Sequence, residues 1–107
     1  MSLEVVLTRH AEQQLYEATA WYQQEAPQFA DAWFNGFVAA IAALEEFPLR
    51  CGLAPESESF PFELRQLLYG LGRRYTHRAL FVVHPHRVVV HAIRHLSQRE
   101  LTADDLA

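Results

Sequence analysis

Nine arginines and six histidines, in a chain with no lysine, are the side chains whose type and spacing bear on chemistry. His91 and His95 bracket Arg94 in the stretch HAIRH. On a helix, a spacing of four stacks two imidazoles on one face, which is how many zinc sites begin. On a strand the same pair shares a face but stands roughly 13 Å apart, at about 3.3 Å per residue. One zinc ion needs its ligands at about 2 Å, so a strand pair cannot chelate alone. The element that carries HAIRH therefore decides its chemistry.

The arginines are unevenly placed. Residues 1–61 carry Arg9 and Arg50 against nine acids, whereas residues 62–99 carry seven arginines against Glu63 alone. The tail returns to acid with Glu100, Asp104 and Asp105. This asymmetry suggests one face for an anionic partner, and guanidinium suits planar carboxylates and phosphates. Unevenly drawn solubility charge is the plainer alternative.

Other chemistry is poorly supplied. GLGRR (70–74) lacks the spacing of the dinucleotide and Walker phosphate loops, so no cofactor is expected, and no ligand set for a metal is evident. Cys51 is the only cysteine, which excludes an intramolecular disulfide framework and leaves one loop thiol that is either reactive or incidental. Glu45 and Glu46, and Glu56 and Glu58 in a loop, read as solvated charge rather than acid–base pairs. The chain opens without a signal peptide and has no apolar run of membrane-spanning length, so a soluble cytoplasmic protein is the default expectation.

The elements that must position these residues follow from periodicity. At 107 residues, half of them hydrophobic, the chain reads as one domain with a real core. LEVVLT (3–8) reads as a strand, and Thr8 sits where a helix N-cap would. Ala11, Leu15, Ala18 and Tyr22 then recur at helical spacing, with Trp21 alongside. Pro27 breaks this helix and opens a second, whose stripe is Ala30, Trp33 or Phe34, Phe37, Ile41 and Leu44. The aromatics Trp21, Tyr22, Phe29, Trp33, Phe34 and Phe37 read as core packing. Pro48 ends the second helix, and 49–61 is a loop.

Three strands follow: ELRQLLYG, then 75–83, then 87–95, with HPH as a hairpin connector. The order β–α–α–β–β–β predicts an α+β domain, a helical hairpin on one face of a mainly antiparallel four-stranded sheet. The tail from residue 100 is expected to form a last turn or to fray. With Pro85 and His86 as the turn, His84 stands opposite Arg87. Arg78, Leu80, Val82 and His84 then share a face with Arg87, Val89, His91, Ile93 and His95. His77, Ala79, Phe81, Val83, Val88, Val90, Ala92 and Arg94 take the other face. The second set is more apolar in its middle and is assigned to the core; the first is the expected partner-facing surface.

Taken together, the early strand, the alanine–acid opening of the first helix with its Trp-Tyr, the proline corner, the Phe-Pro helix end, Tyr-x-x-Arg and the Val-rich strand into Ile-Arg-His resemble the RelE/ParE superfamily of type II toxins, in its plasmid-stabilisation branch. The resemblance spans nearly the whole chain and agrees with the fold class. It implies a small intracellular, growth-inhibiting toxin neutralised by a cognate antitoxin with an acidic helical tail, and a homodimer is a further possibility. One branch binds DNA gyrase; for that reading the binding residues are Arg65, Arg73, Arg74, Arg78, Arg87, His91 and Arg94. The other branch is similar to metal-independent, ribosome-dependent mRNA endonucleases; for it the catalytic residues are Arg78, Arg73, Arg99 and His95. This chain departs from the nuclease pattern with Tyr69 and Leu71 at basic positions and acidic TADDL where a tyrosine is expected. The net charge of −4 also sits poorly with ribosome binding. A third reading is the toxin fold without activity, kept as a binding or regulatory module.

Overall fold

The computed structural model describes residues 2–106. Strand β1 (Glu4–Leu7) leads into helix α1 (Arg9–Glu25) and helix α2 (Pro27–Ala42); strands β2 (Arg65–Tyr69), β3 (His77–Val83) and β4 (Arg87–His95) follow. The sheet order is β1-β4-β3-β2, with β1 parallel to β4 and the other pairs antiparallel. The helix termini follow from local chemistry. Thr8 Oγ1 accepts from the Ala11 N–H at 3.1 Å, capping α1. Ala26, ahead of Pro27, leaves the helical region at φ −149°, and Pro27 takes the first turn of α2, where its missing N–H is harmless.

The helices lie on one sheet face. Ala11, Leu15, Trp33, Phe37, Ile41 and Leu44 pack there against Ala79, Phe81, Val88, Val90 and Ile93. Stacked rings tie α2 to its surroundings: Trp33 lies 4.7 Å from Tyr22 of α1, and Phe37 lies 4.5 Å from Tyr69 of β2. The aromatic stripe is only partly core, because Trp21 and Phe29 stand half in solvent. Trp21 sits one residue before Tyr22, about 100° around the helix, so the two rings cannot both face the sheet.

The opposite sheet face is also covered, contrary to the expectation of an open surface there. Ala54, Leu64, Leu80, Val82, Ala92 and Leu101 form a second core beneath the 49–61 loop and the tail. The loop is built from short 3-10 turns at Pro48–Arg50 and Pro55–Ser59, and the tail closes with another at Ala103–Leu106. The tail is therefore anchored rather than frayed, with Leu101 buried.

The β3–β4 register changes partway. Val83, Val82 and Phe81 pair with Val88, Val89 and Val90, as the two-residue turn predicts. Beyond the shift, Leu80 pairs with Ala92, Ala79 with Ile93, Arg78 with Arg94 and His77 with His95. His91 is the extra residue of a β-bulge, and every later side chain of β4 changes face. Ile93 and His95 thus lie on the helix side, and Arg94 lies beside Arg78; the sequence reading had each on the reverse side. A helix side chain holds the bulge, since Gln14 Oε1 accepts the Ile93 N–H at 2.8 Å.

Candidate functional site

The bulge gathers the arginines of β3 and β4 on the loop-covered face. Arg78 directs both terminal nitrogens at Glu56, with Nη1 donating to Oε1 at 2.7 Å and Nη2 to Oε2. Nη1 also reaches Gln66 Oε1 at 3.2 Å. The Leu101 N–H donates to Glu56 Oε2 at 2.9 Å, so one carboxylate ties loop, sheet and tail together. Burial pushes the Glu56 carboxyl upward, but the Arg78 and Leu101 hydrogen bonds outweigh it and hold the group below its ordinary range. Glu56 is thus a buried partner rather than the solvated loop charge its surroundings in sequence suggest.

Arg94 and Arg99 carry these contacts into the tail. Arg94 is buried and donates Nη2 to the Arg99 carbonyl at 2.8 Å, and its Nε finds no partner among the described residues. Arg99 grips Asp105 with two hydrogen bonds of 2.8 Å and, with Thr102, holds that carboxyl far below the usual range. Both terminal forks, Arg78 and Arg99, are therefore occupied by acids of this same chain.

Of the other arginines nominated in the sequence, three face water and Arg65 does not. Arg73 and Arg74 lie exposed in the β2–β3 turn. That turn is shaped by Gly70, where a Cβ would stand 1.9 Å from the Arg74 carbonyl oxygen. Arg87 lies at the opposite end of β3, exposed and only 3.9 Å from Glu4. Arg65 is mostly buried and donates to the Cys51 carbonyl at 2.8 Å. Cys51 itself is buried, and burial, opposed by Arg50 and Arg65, pushes its thiol up; it is a packed thiol rather than a reactive one.

The histidines separate. His91 stacks on Phe62 at 6.4 Å, and burial, with His84 nearby, lowers its pKa. His95 stands edge-on to His77 at 5.0 Å, beside a cavity of about 540 Å³ lined by Gln14, Glu17, Trp21, Tyr22, Thr76 and Gln98. The Ser97 N–H donates to His95 Nδ1 at 3.0 Å, which places the proton of the neutral ring on Nε2. His77 is buried, and burial followed by His95 lowers its pKa to about 4. The nuclease set of Arg78, Arg73, Arg99 and His95 is thus distributed over two faces and a turn. Sequence reasoning missed Glu56 as a buried partner, whereas His77, assigned to the core face, is buried there against Trp33; the near-continuous apolar run of β3 was the available signal that both sheet faces are covered.

A helical hairpin on one face of a four-stranded mixed sheet, with the first and last strands parallel, defines this chain as a member of the RelE/ParE toxin superfamily. Residues 5–100 match the family described as ParE toxin of type II toxin-antitoxin system, parDE, and the chain belongs to that family. Among solved structures it is similar to one titled "Chromosomal ParDE TA system from P. aeruginosa", with a TM-score of 0.69 and 22% identity, over 90% of this chain and 98% of the other. At that identity the likeness concerns the fold. Among curated proteins none matches. Among the described residues, no helix is long and apolar enough to cross a membrane.

Proposed function

We propose that this protein is a ParE-type toxin that inhibits growth in the cytoplasm by binding a target such as DNA gyrase, and that an antitoxin with an acidic helical tail neutralises it. The observation that carries this reading is the occupation of Arg78 by Glu56 and of Arg99 by Asp105. An mRNA interferase needs free cationic groups converging on a phosphate, whereas here two of the three arginines nominated for that role already hold carboxylates. Arg73, Arg74 and Arg87, exposed at the two turns, are the anchors left for a partner's carboxylates, and such pairs steer and register an acidic segment.

Inducible expression in bacteria, with a plasmid supercoiling assay and primer extension on transcripts, tests the reading. The expected result is growth arrest with lost supercoiling activity and intact transcripts, relieved by the antitoxin. Charge reversal at Arg73 and Arg74 is expected to weaken antitoxin rescue. Codon-position cleavage of mRNA would overturn the proposal in favour of an interferase. Normal growth with neither effect would leave the fold as a binding module.

A further inference from the structure

At the end of α2 the chain holds one residue in an unfavourable backbone state with its side chain in water. Phe47 adopts φ 53° and ψ 51°, the left-handed region, and its ring is 80% exposed. For a bulky residue this conformation is strained. The ring joins neither core, and a glycine would make the same corner without strain. A strained backbone under a solvated aromatic ring points to a contact made outside the fold.

The same end of the molecule carries a matching depression. Leu49, 63% exposed, lines a cavity of about 550 Å³ whose wall is mostly apolar, with Phe62, Val82 and Pro85, and which also carries Glu63 and Arg65. Phe47 stands two residues before Leu49 of the cavity wall, with only the buried Pro48 between them. A projecting ring and an apolar hollow therefore sit on one patch.

We propose that two copies of this chain associate across a two-fold axis, the Phe47 ring of each entering the hollow of the other. An isologous contact requires a patch complementary to itself. Knob and hollow supply this in shape, and the flanking charges supply it in sign: Glu46 and Arg50, both exposed, bracket Phe47 with opposite charges. A two-fold axis sets the acid of one copy against the arginine of the other. A uniformly charged partner would gain one pair and clash at the other.

Sedimentation velocity of the full chain over a wide concentration range tests this. The wild type is expected to show a reversible monomer–dimer equilibrium. Phe47→Gly removes the knob and relieves the strain, so it is expected to weaken association about 30-fold or more while raising the melting temperature of the monomer. Leu49→Glu, at an exposed position, is expected to weaken association similarly. Glu46→Arg and Arg50→Glu are each expected to weaken it and, combined, to restore it. A wild type that stays monomeric throughout, or a Phe47→Gly variant that dimerises as the wild type does, overturns the proposal.

Discussion

Glu56 and Arg78, 22 residues apart, face each other through both carboxylate oxygens and both terminal nitrogens, with side-chain exposures of 0% and 7%. Removing one partner of such a pair strands the other charge in the interior. Glu56→Ala is expected to destabilise the fold by about 3–5 kcal/mol, and it also orphans the Leu101 N–H that Glu56 accepts. Replacing both residues together with leucine and methionine is expected to cost far less, because the desolvation of both charges disappears. Urea unfolding of Glu56→Leu, Arg78→Met and the double variant measures the coupling directly; additive losses would show that the pair does not act as a unit.

Acid should weaken this protein through two buried groups acting in different windows. His77 is held near pH 4 against an ordinary value of 6.5, so its folded pKa lies below its unfolded one. Its contribution is fully present above pH 6.5 and is lost as pH falls from 6.5 toward 4, when the unfolded chain takes the proton first. His91, lowered in the same direction, adds to that slope. Glu56 is also depressed, so its contribution is complete above its ordinary value of 4.5 and is lost as pH drops through its folded pKa. Stability followed by urea midpoint should therefore decline from pH 6.5 downward, first through the histidines and then, below 4.5, through Glu56. In His77→Gln the upper slope should flatten while the lower one persists. An unchanged profile would place the upper titration elsewhere.

Much of the fold was legible in the chain because its signals are local. Thr8 as a cap, Pro27 as a corner and Pro85 in a turn each act within a few residues, and the apolar stripe of α2 repeats at the helical period. The bulge was not legible. An extra residue at His91 leaves alternation intact on either side of it, and the site depends on a glutamine from α1 that is 79 positions away. The same applies to Glu56, whose neighbours Pro55 and Ser57 read as solvated loop. Only the long-range meeting with Arg78 makes it a core residue. One register error then moved Ile93, Arg94 and His95 together, because the strand period is two and a slip of one inverts all that follow.

Gly36 lies in the middle of α2, where alanine would ordinarily raise stability by about 1 kcal/mol. Here a Cβ would stand 2.2 Å from Tyr69 Oη. That ring has little freedom to retreat, since it stacks on Phe37 at 4.5 Å and donates to the Trp33 carbonyl at 2.9 Å. Gly36→Ala is therefore expected to destabilise by about 1–3 kcal/mol, the range for overpacking. Combining it with Tyr69→Phe, which removes the clashing hydroxyl, is expected to recover part of the loss. Thermal melts of the two single variants and the pair decide this; a stabilised Gly36→Ala alone would show that propensity outweighs the clash.

Gln14 takes over where β1 stops. β1 pairs with β4 only as far as Val90, and the Ile93 N–H, facing away from β3 just beyond the bulge, donates to Gln14 Oε1 at 2.8 Å. Substituting leucine would keep the side chain's bulk but leave that amide, beside a buried isoleucine, without an acceptor. An orphaned buried donor costs about 1–3 kcal/mol. Gln14→Leu is thus expected to lower stability by that amount, and to accelerate hydrogen exchange at the Ile93 amide more than at Val88, on the far side of the bulge. Gln14→Glu retains the acceptor and should keep that amide protected near neutral pH. Equal exchange in wild type and Gln14→Leu would mean that water replaces the glutamine without loss, and that the bulge is held by sheet pairing alone.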